Sequence, residues 1–520
     1  MSNLQTRYSH EIAGVLSCYD RILLFGTLPT ICYRDGMAAY LHSRQRPLTE
    51  YLPLVMGLRD RIKQTAEALA AANGQTIEFI RKASVRKEEV AQARRAARGD
   101  TPGLVCILSA EERCESYEVR HRRPSGAPYL TVRGGKCLHY YFYFLDAELG
   151  LLHLRVPTWC PYRLQVCFNG HAWLAHRLAA AGVAFTLQDN AFHQVADYAA
   201  AQRLADDWAI ARLHARLDEY ARRCCPVMET FETTYHWSVS QVEYATDIVF
   251  RDPTALRQVY EHLSRAVILA AKPERVTAFF GRQFPHLPKG AVDTLFVTRP
   301  QGTCVKHTLW PVSIKMYDKH HRILRVETVA DDITYFRHHR PVVQRTGHTV
   351  CKEAPFRKHI YSLPELMPVM RAANARYLDF LAQLEDPTDG ARRLDDLSHA
   401  HTHQGRRYRG LNFFAAHDQR LLRTIGRAEF MVNGLRNRHV RRLLGGTTSQ
   451  VSRLLKNLRL RGLIRKATRC YKYYLTALGR KVIAAGVTLQ EFLLIPALSD
   501  RCAPSPDILP NFGRISGVTE

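Results

Sequence analysis

The chain has 520 residues, 46% apolar and 23% charged, which suits a soluble globular protein but is too long for one ordinary core, so about two to four domains are expected. Lys and Arg exceed Asp and Glu by 26, an excess that points to a polyanionic partner. Apolar runs such as Leu138–Leu145 and Phe492–Leu498 fall far short of the roughly 20 residues of a membrane span, and the polar stretch Met1–Ser9 argues against a secretory leader. Thirteen Cys, an odd number with no Cys-x-x-Cys pair, read as reduced and mostly buried thiols in a cytoplasmic protein.

In chain order, residues 1–130 read as an α/β region. Arg21–Leu28 is a short apolar segment, Leu52–Ala72 has helical spacing, and Thr76–Ile80 and Leu104–Leu108 are strands around an exposed basic helix over Arg81–Arg98. The polar stretch Glu111–Pro128 predicts a loop. Within 131–225, Leu138–Leu145 and Leu151–Val156 predict an aromatic β-hairpin, followed by helices over Trp173–Ala181 and Tyr198–Tyr220. His153 and His171 fit buried, hydrogen-bonded imidazoles better than metal ligands. Tyr140–Phe144 fits hairpin packing better than base stacking.

Residues 226–385 predict an α+β domain. It has a strand over Val239–Phe250, a helix from Asp252-Pro253 to Ala271, and a helix over Leu363–Leu384. Between the helices, Val292–Thr298, Thr303–Leu309, Ser313–Tyr317 and Ile323–Val329 form an antiparallel sheet. The polar, His- and Arg-rich stretch 386–415 reads as a linker, with His399, His401 and His403 solvated. The last segment, 501–520, is a flexible tail.

Asp418–Ala485 carries seventeen Lys and Arg against Asp418 and Glu429 alone, a net +15 of the total +26. Helices are predicted over Leu421–Phe430 and Leu435–Leu444. Gly445-Gly446 makes a turn, and Thr447 or Thr448 caps a third helix over Ser449–Arg461 whose buried stripe is Val451, Leu454, Leu455 and Leu458. A basic hairpin over Arg465–Leu475 follows. The turn, the Arg461-Gly462-Leu463-Ile464 step and the ending Tyr473-Tyr474-Leu475-Thr476-Ala477-Leu478-Gly479 resemble the winged helix-turn-helix of MarR-like transcription regulators. That resemblance implies a DNA-binding domain over 416–500, with Ser449–Arg461 as recognition helix and a wing tip near Ala467–Cys470. Arg438, Arg441, Ser449, Gln450, Arg453, Lys456, Arg465, Lys466, Arg469 and Lys472 are the candidate DNA contacts. Double-stranded DNA is the expected partner, with RNA or single-stranded DNA the alternatives; binding requires no cofactor.

In the body, Walker A, His-Glu-x-x-His and Gly-x-Ser-x-Gly signatures are missing from the sequence. Ser313–Lys319 and Leu324–Thr328 are more informative. On adjacent strands Lys315, Tyr317 and Lys319 share one face, as do Arg325 and Glu327. A Tyr flanked by cations suits attack on a phosphodiester, the cations lowering the phenol's pKa and a nearby carboxylate holding Mg²⁺. The segment is similar to the Tyr-Asn/Asp-Lys and Arg-x-Glu strands of rolling-circle plasmid replication initiators. By that resemblance Tyr317 is the nucleophile, with Lys315, Lys319 and Arg325 around it and Glu243, Asp247 and Glu327 as metal ligands. The plain alternative is that Tyr317 packs its ring and Asp318 caps a turn.

The chain as a whole resembles a recurrent set of large bacterial proteins. The expected fold is therefore a mixed α/β multidomain body with antiparallel sheets and a C-terminal winged helix-turn-helix. The expected function is DNA binding by a transcription regulator or mobile-element protein. The alternatives are a metal-dependent nicking and rejoining enzyme and an RNA-binding accessory factor. Oligomeric state stays open, a dimer being one option.

Overall fold

The computed structural model describes residues 3–270, 273–281, 292–299, 302–345, 347–384, 388–467, 471–495 and 498. It is mixed α/β and falls into two compact units, Met1–Glu385 and Asp386–Glu520. Among the described residues no helix is long and apolar enough to cross a membrane. The eleven described cysteines are all free, five of them buried and Cys351 exposed.

In chain order the first unit has β1 (Ile12–Thr27), β2 (Glu78–Phe79), β3 (Gly103–His121), β4 (Pro128–Asp146), β5 (Gly150–Pro157) and β6 (Leu164–Asn169). There follow β7 (Phe185–Gln188), β8 (Ala191–Val195), β9 (His236–Phe250), β10 (Asp293–Arg299), β11 (Gly302–Leu309), β12 (Val312–Lys319) and β13 (Ile323–Ala330). All but β7 and β8, which pair with each other, join one sheet in the order β10-β11-β12-β13-β9-β1-β6-β5-β4-β3-β2. The pairs are antiparallel except for the short β2–β3 contact. The segments 1–130, 131–225 and 226–385 thus share one sheet and one compact unit instead of forming three bodies.

The sheet has two like halves joined at β1 and β9. Each half begins with a long central strand, passes through helical chain, and returns from the outside by a four-stranded meander whose last strand pairs with that central strand. The helices are Tyr51–Ala72 and Pro253–Ala270 inside the two crossings, and Gly170–Ala180 and Leu363–Leu384 after the two meanders. In the second half, period-two alternation divides the residues cleanly. Ile314, Met316, Leu324 and Val326 enter the main core with Met370 and Tyr377 of the helix Leu363–Leu384. From that helix Asn374 donates to the Tyr244 carbonyl at 3.0 Å and accepts from Thr328 Oγ1 at 2.7 Å, locking it across β9 and β13. The odd-numbered neighbours therefore face the other way.

The strand and helix assignments over 226–385 hold to within a few residues, but two other expectations do not. Glu111–Pro128 is mostly the far end of the β3–β4 hairpin. Tyr117 is buried there against Tyr51, whose hydroxyl accepts from the Tyr117 amide, so tertiary packing overrides a polar composition. The helix expected over Tyr198–Tyr220 is two, Tyr198–Asp206 and Ile210–Cys224. Trp208 leaves the helical path to stack on Trp173 at 3.8 Å. A two-stranded ribbon, β14 (Arg337–Val343) with β15 (Thr349–Pro355), follows the sheet.

In the second unit, the stretch read as a linker contains the helix Thr388–Ser398 and the small hairpin β16 (His401–His403) with β17 (Arg406–Tyr408). Leu397 and Leu411 are buried in this unit's core, which is why so polar a stretch is ordered. The first predicted helix is split at Gly426 into Ala416–Ile425 and Ala428–Asn433. Asn437–Leu444 and Thr448–Leu460 follow, then β18 (Ile464–Lys466) paired with β19 (Tyr473–Leu475), and the helix Ala477–Thr488. Val451, Leu455 and Leu458 are buried as the helical period requires, with Leu454 half-buried.

Candidate functional site

Four strands bring charge to the face of the second half-sheet opposite the helix Leu363–Leu384. Register sets Tyr317 opposite Arg325, Lys315 opposite Glu327, Lys306 opposite Lys315, and Arg325 opposite Asp247. Asp20 joins them from β1, where the β1–β9 register slips between Tyr19 and Ile22. Asp20, Lys306, Lys315, Tyr317 and Arg325 line a cavity of about 490 Å³ with Lys319, Glu243 and Asn190, while Glu327 and Asp247 are buried beside it.

The network has two parts. In the buried part Arg325 donates to both oxygens of Asp247 (2.6 and 2.7 Å) and to the Asn190 carbonyl (2.6 Å). It also lies 3.5 Å from Asp20 Oδ2. His171 Nδ1 is 2.9 Å from Asp20 Oδ1, which also accepts from Asn169 (3.0 Å) and Asn190 (2.6 Å). Burial opposes ionisation here, but Arg325 and His171 hold Asp247 down to about 2 and Asp20 well below the carboxylate range.

In the open part Lys315 Nζ donates to Glu327 at 2.6 Å and Glu243 at 3.4 Å, and the Tyr317 hydroxyl donates to the other Glu327 oxygen. Burial, then the charge of Glu327, pushes the Glu243 carboxyl up to about 8. Burial and Arg325 bring Lys319 down to about 8, and Lys319 donates to Asn190 Oδ1. The Tyr317 phenol is pushed up, not down, by burial and then by Glu327. Arg325 still acts to lower it, as a flanking cation should, but burial and Glu327 outweigh that effect.

Carboxylate oxygens of Asp20, Glu243 and Glu327 lie within 4.8 Å of one another. An all-oxygen set of this kind suits a hard cation such as Mg²⁺ or Mn²⁺. Of the predicted ligands, Glu243 and Glu327 belong to the cluster. Asp247 does not, because Arg325 takes both its oxygens. Asp20, Asn190 and Lys306 escaped the sequence reading, and His171 was read as a buried structural imidazole. A lone Asp inside the apolar strand Ile12–Thr27 was the available signal for Asp20.

In the second unit, Thr447 caps the helix Thr448–Leu460 in a capping box in which the Gln450 side chain binds the Thr447 amide at 2.8 Å. Gln450 is therefore engaged at its carbonyl oxygen, and Ser449 lies 3.0 Å from the Thr447 hydroxyl. Arg441 donates to Thr448 Oγ1 (2.6 Å), and Arg453 to the Arg407 carbonyl (3.0 Å). Arg438, Arg441, Ser449, Arg453, Arg465 and Lys466 are exposed, while Lys456 and Lys472 are half-buried. Lys466 sits 4.4 Å from the Tyr471 ring and Lys472 5.5 Å from that of Tyr474. Arg469 and most of the expected wing tip lie outside the described residues.

No protein-family model, curated protein or solved structure matches this chain.

Proposed function

We propose that the chain binds DNA through its C-terminal unit and breaks and rejoins one strand through Tyr317. The observation that carries the catalytic part is a tyrosine on the wall of a lysine-lined cavity whose hydroxyl donates to Glu327, one of three carboxylates that converge there. In this reading the Tyr317 oxygen bonds to phosphorus while its proton passes to Glu327. The bond from phosphorus to a sugar oxygen breaks, and that oxygen takes a proton from Lys319 and leaves as a hydroxyl. Reversal of these transfers rejoins the strand. Lys306 and Lys315 offset the charge that gathers on the phosphoryl oxygens. Asp20, Glu243 and Glu327 are the residues to hold Mg²⁺ or Mn²⁺, which when bound would polarise a phosphate oxygen.

For the C-terminal unit, a winged helix-turn-helix reading is supported by the order of helices, the Gly445-Gly446 turn and the hairpin β18–β19. The backbone bridge between Leu435 and Tyr473 adds a third strand position to that hairpin. The net +15 of Asp418–Ala485 within it supports phosphate binding. The test is incubation with supercoiled plasmid and Mg²⁺ or Mn²⁺. Wild type is expected to give open-circular DNA and a covalent protein–DNA adduct, and Tyr317→Phe neither. Wild type giving no nick and no adduct on duplex or single-stranded substrates would refute the enzyme.

A second reading, a regulator or mobile-element protein with a structural body, is favoured by Arg325 and Lys315 already offsetting much of the carboxylate charge. Duplex binding without an adduct would establish it. Preference for structured RNA over duplex DNA in competition would instead favour an RNA-binding factor.

A further inference from the structure

The ribbon β14–β15 is built unlike the rest of the first unit. It runs for seven residue pairs, Arg337↔Pro355 to Val343↔Thr349, about 20 Å at ordinary strand rise. Only its root is packed, where His338 stacks on Phe356 at 3.9 Å and Ala354 is buried. From His339 to Glu353 every described residue except the half-buried Arg340 and Val342 is exposed. A lone pair of strands gains little stability by itself, so side chains on this arm are not spent on a core.

Its charges are also arranged against its own stability. Arg340 and Lys352 stand directly opposite each other, a like-charge cross-strand pair that costs free energy. Among the described residues neither has a carboxylate partner; the Arg340 guanidinium donates only to the Pro355 and Pro341 carbonyls, at 2.9 and 3.4 Å. At the root, by contrast, Arg337 lies 3.8 Å from Glu353. Arg345 adds to the basic surface toward the tip, while His339 stands opposite Glu353 on the root side of Arg340. Such an arm is completed by an anion supplied from outside. A two-stranded ribbon fits the major groove of B-form DNA, whereas the deep, narrow major groove of duplex RNA excludes it.

We infer that the β14–β15 ribbon is a second DNA-binding element, an arm that lies in the major groove of duplex DNA with Arg340 and Lys352 on its phosphates. The inference rests on the DNA-binding part of the proposed function. The test uses the full chain and a fluorescently labelled DNA duplex, with anisotropy followed over a salt series. The double variant Arg340→Gln/Lys352→Gln should bind at least about tenfold more weakly, with a log–log salt slope shallower by about 1.8, two phosphate contacts at about 0.9 each. Its thermal midpoint should equal or exceed that of wild type, because a repulsion has been removed. Lys352→Glu should be more stable again, through pairing with Arg340, and bind DNA less well than Lys352→Gln.

Unchanged duplex affinity and slope in the double variant, with wild type binding normally, overturns the arm and leaves the C-terminal unit standing. A loss confined to structured RNA, or seen only alongside a lowered thermal midpoint, overturns it too. A wild-type chain with no affinity for duplex DNA removes both this inference and the reading beneath it.

Discussion

Each half of the central sheet aims a tyrosine hydroxyl at a glutamate, and the two glutamates sit in opposite surroundings. In the first half Glu112 accepts from Tyr141 (2.6 Å), Lys87 (2.9 Å) and Arg155 (2.5 and 2.9 Å). Against the effect of burial, Tyr141 and Arg155 hold its carboxyl down to about 2. In the second half Glu327 accepts from Tyr317 and Lys315 but has Glu243 beside it, and that carboxyl rises to about 8. By the same topology, the pairs His153↔Cys167 and Arg155↔Gln165 stand where Lys315↔Glu327 and Tyr317↔Arg325 stand. One scaffold thus closes a charge with two cations in one half and crowds carboxylates around a cavity in the other. Three carboxylates converging beside a lysine-lined cavity, more than the tyrosine itself, mark the second half as the candidate active site.

The largest test of this contrast is Arg325→Met. It leaves Asp247 and Asp20 buried beside an apolar side chain and should cost about 3–5 kcal/mol in denaturant unfolding. Arg155→Met leaves Glu112 its lysine and should cost about 1.5–3 kcal/mol, the range for a hydrogen bond to a charged group. Equal losses would show that the two clusters do the same structural work.

Divalent cations and pH come next. Mn²⁺ at about a hundred times its dissociation constant should stabilise wild type by about 2.7 kcal/mol, and Glu243→Gln clearly less. For pH the sign follows from the direction of each shift. Glu243, raised in the fold, contributes stability that is complete below its unfolded value near 4.3 and is lost as pH rises through about 8. Glu112 and Asp247, lowered in the fold, contribute stability that is present above the unfolded values and is lost as pH falls toward about 2. Without metal, the stability of wild type relative to Glu243→Gln should fall from about pH 5 to about pH 8, whatever the buried histidines add to both profiles. A difference that does not change over that range would mean that Glu243 is not crowded.

The smallest effect separates the two tyrosines. Tyr141→Phe should lower stability by about 1–2 kcal/mol, with no effect on any strand cleavage. Tyr317→Phe should cost at least as much, since Glu327 is fully buried and keeps only Lys315, but it alone should remove the covalent adduct. A Tyr317→Phe protein that still forms the adduct would transfer the chemistry to another nucleophile.

Much of the second half-sheet was legible. Alternation over Ser313–Tyr317 and Ile323–Val329 placed Lys315 with Tyr317, and Arg325 with Glu327, on one face of their own strands, because a strand's two-residue period is a local property; register then set the two pairs side by side. The helix Leu363–Leu384 has the bounds its sequence predicts. The capping box was also readable, as Thr447-x-x-Gln450, yet Gln450 had been assigned to base contact. Other features were hidden for a common reason. Tyr117 extends a polar strand by packing on Tyr51, and Trp208 breaks a helix by stacking on Trp173, and neither partner is near in sequence.

Local periodicity and composition thus determined the strands, the helices, the facing of the tyrosine and the concentration of positive charge near the C-terminus. Tertiary structure alone decided which carboxylates meet. Asp20 reaches Glu243 and Glu327 through the pairing of β1 with β9, more than 200 residues apart in the chain. The pairing of β13 with β9 set Asp247 against Arg325, outside the cluster. Register across a sheet is a long-range choice driven by burial of the opposite, apolar face, so the charged face inherits its neighbours from packing that its own residues do not control.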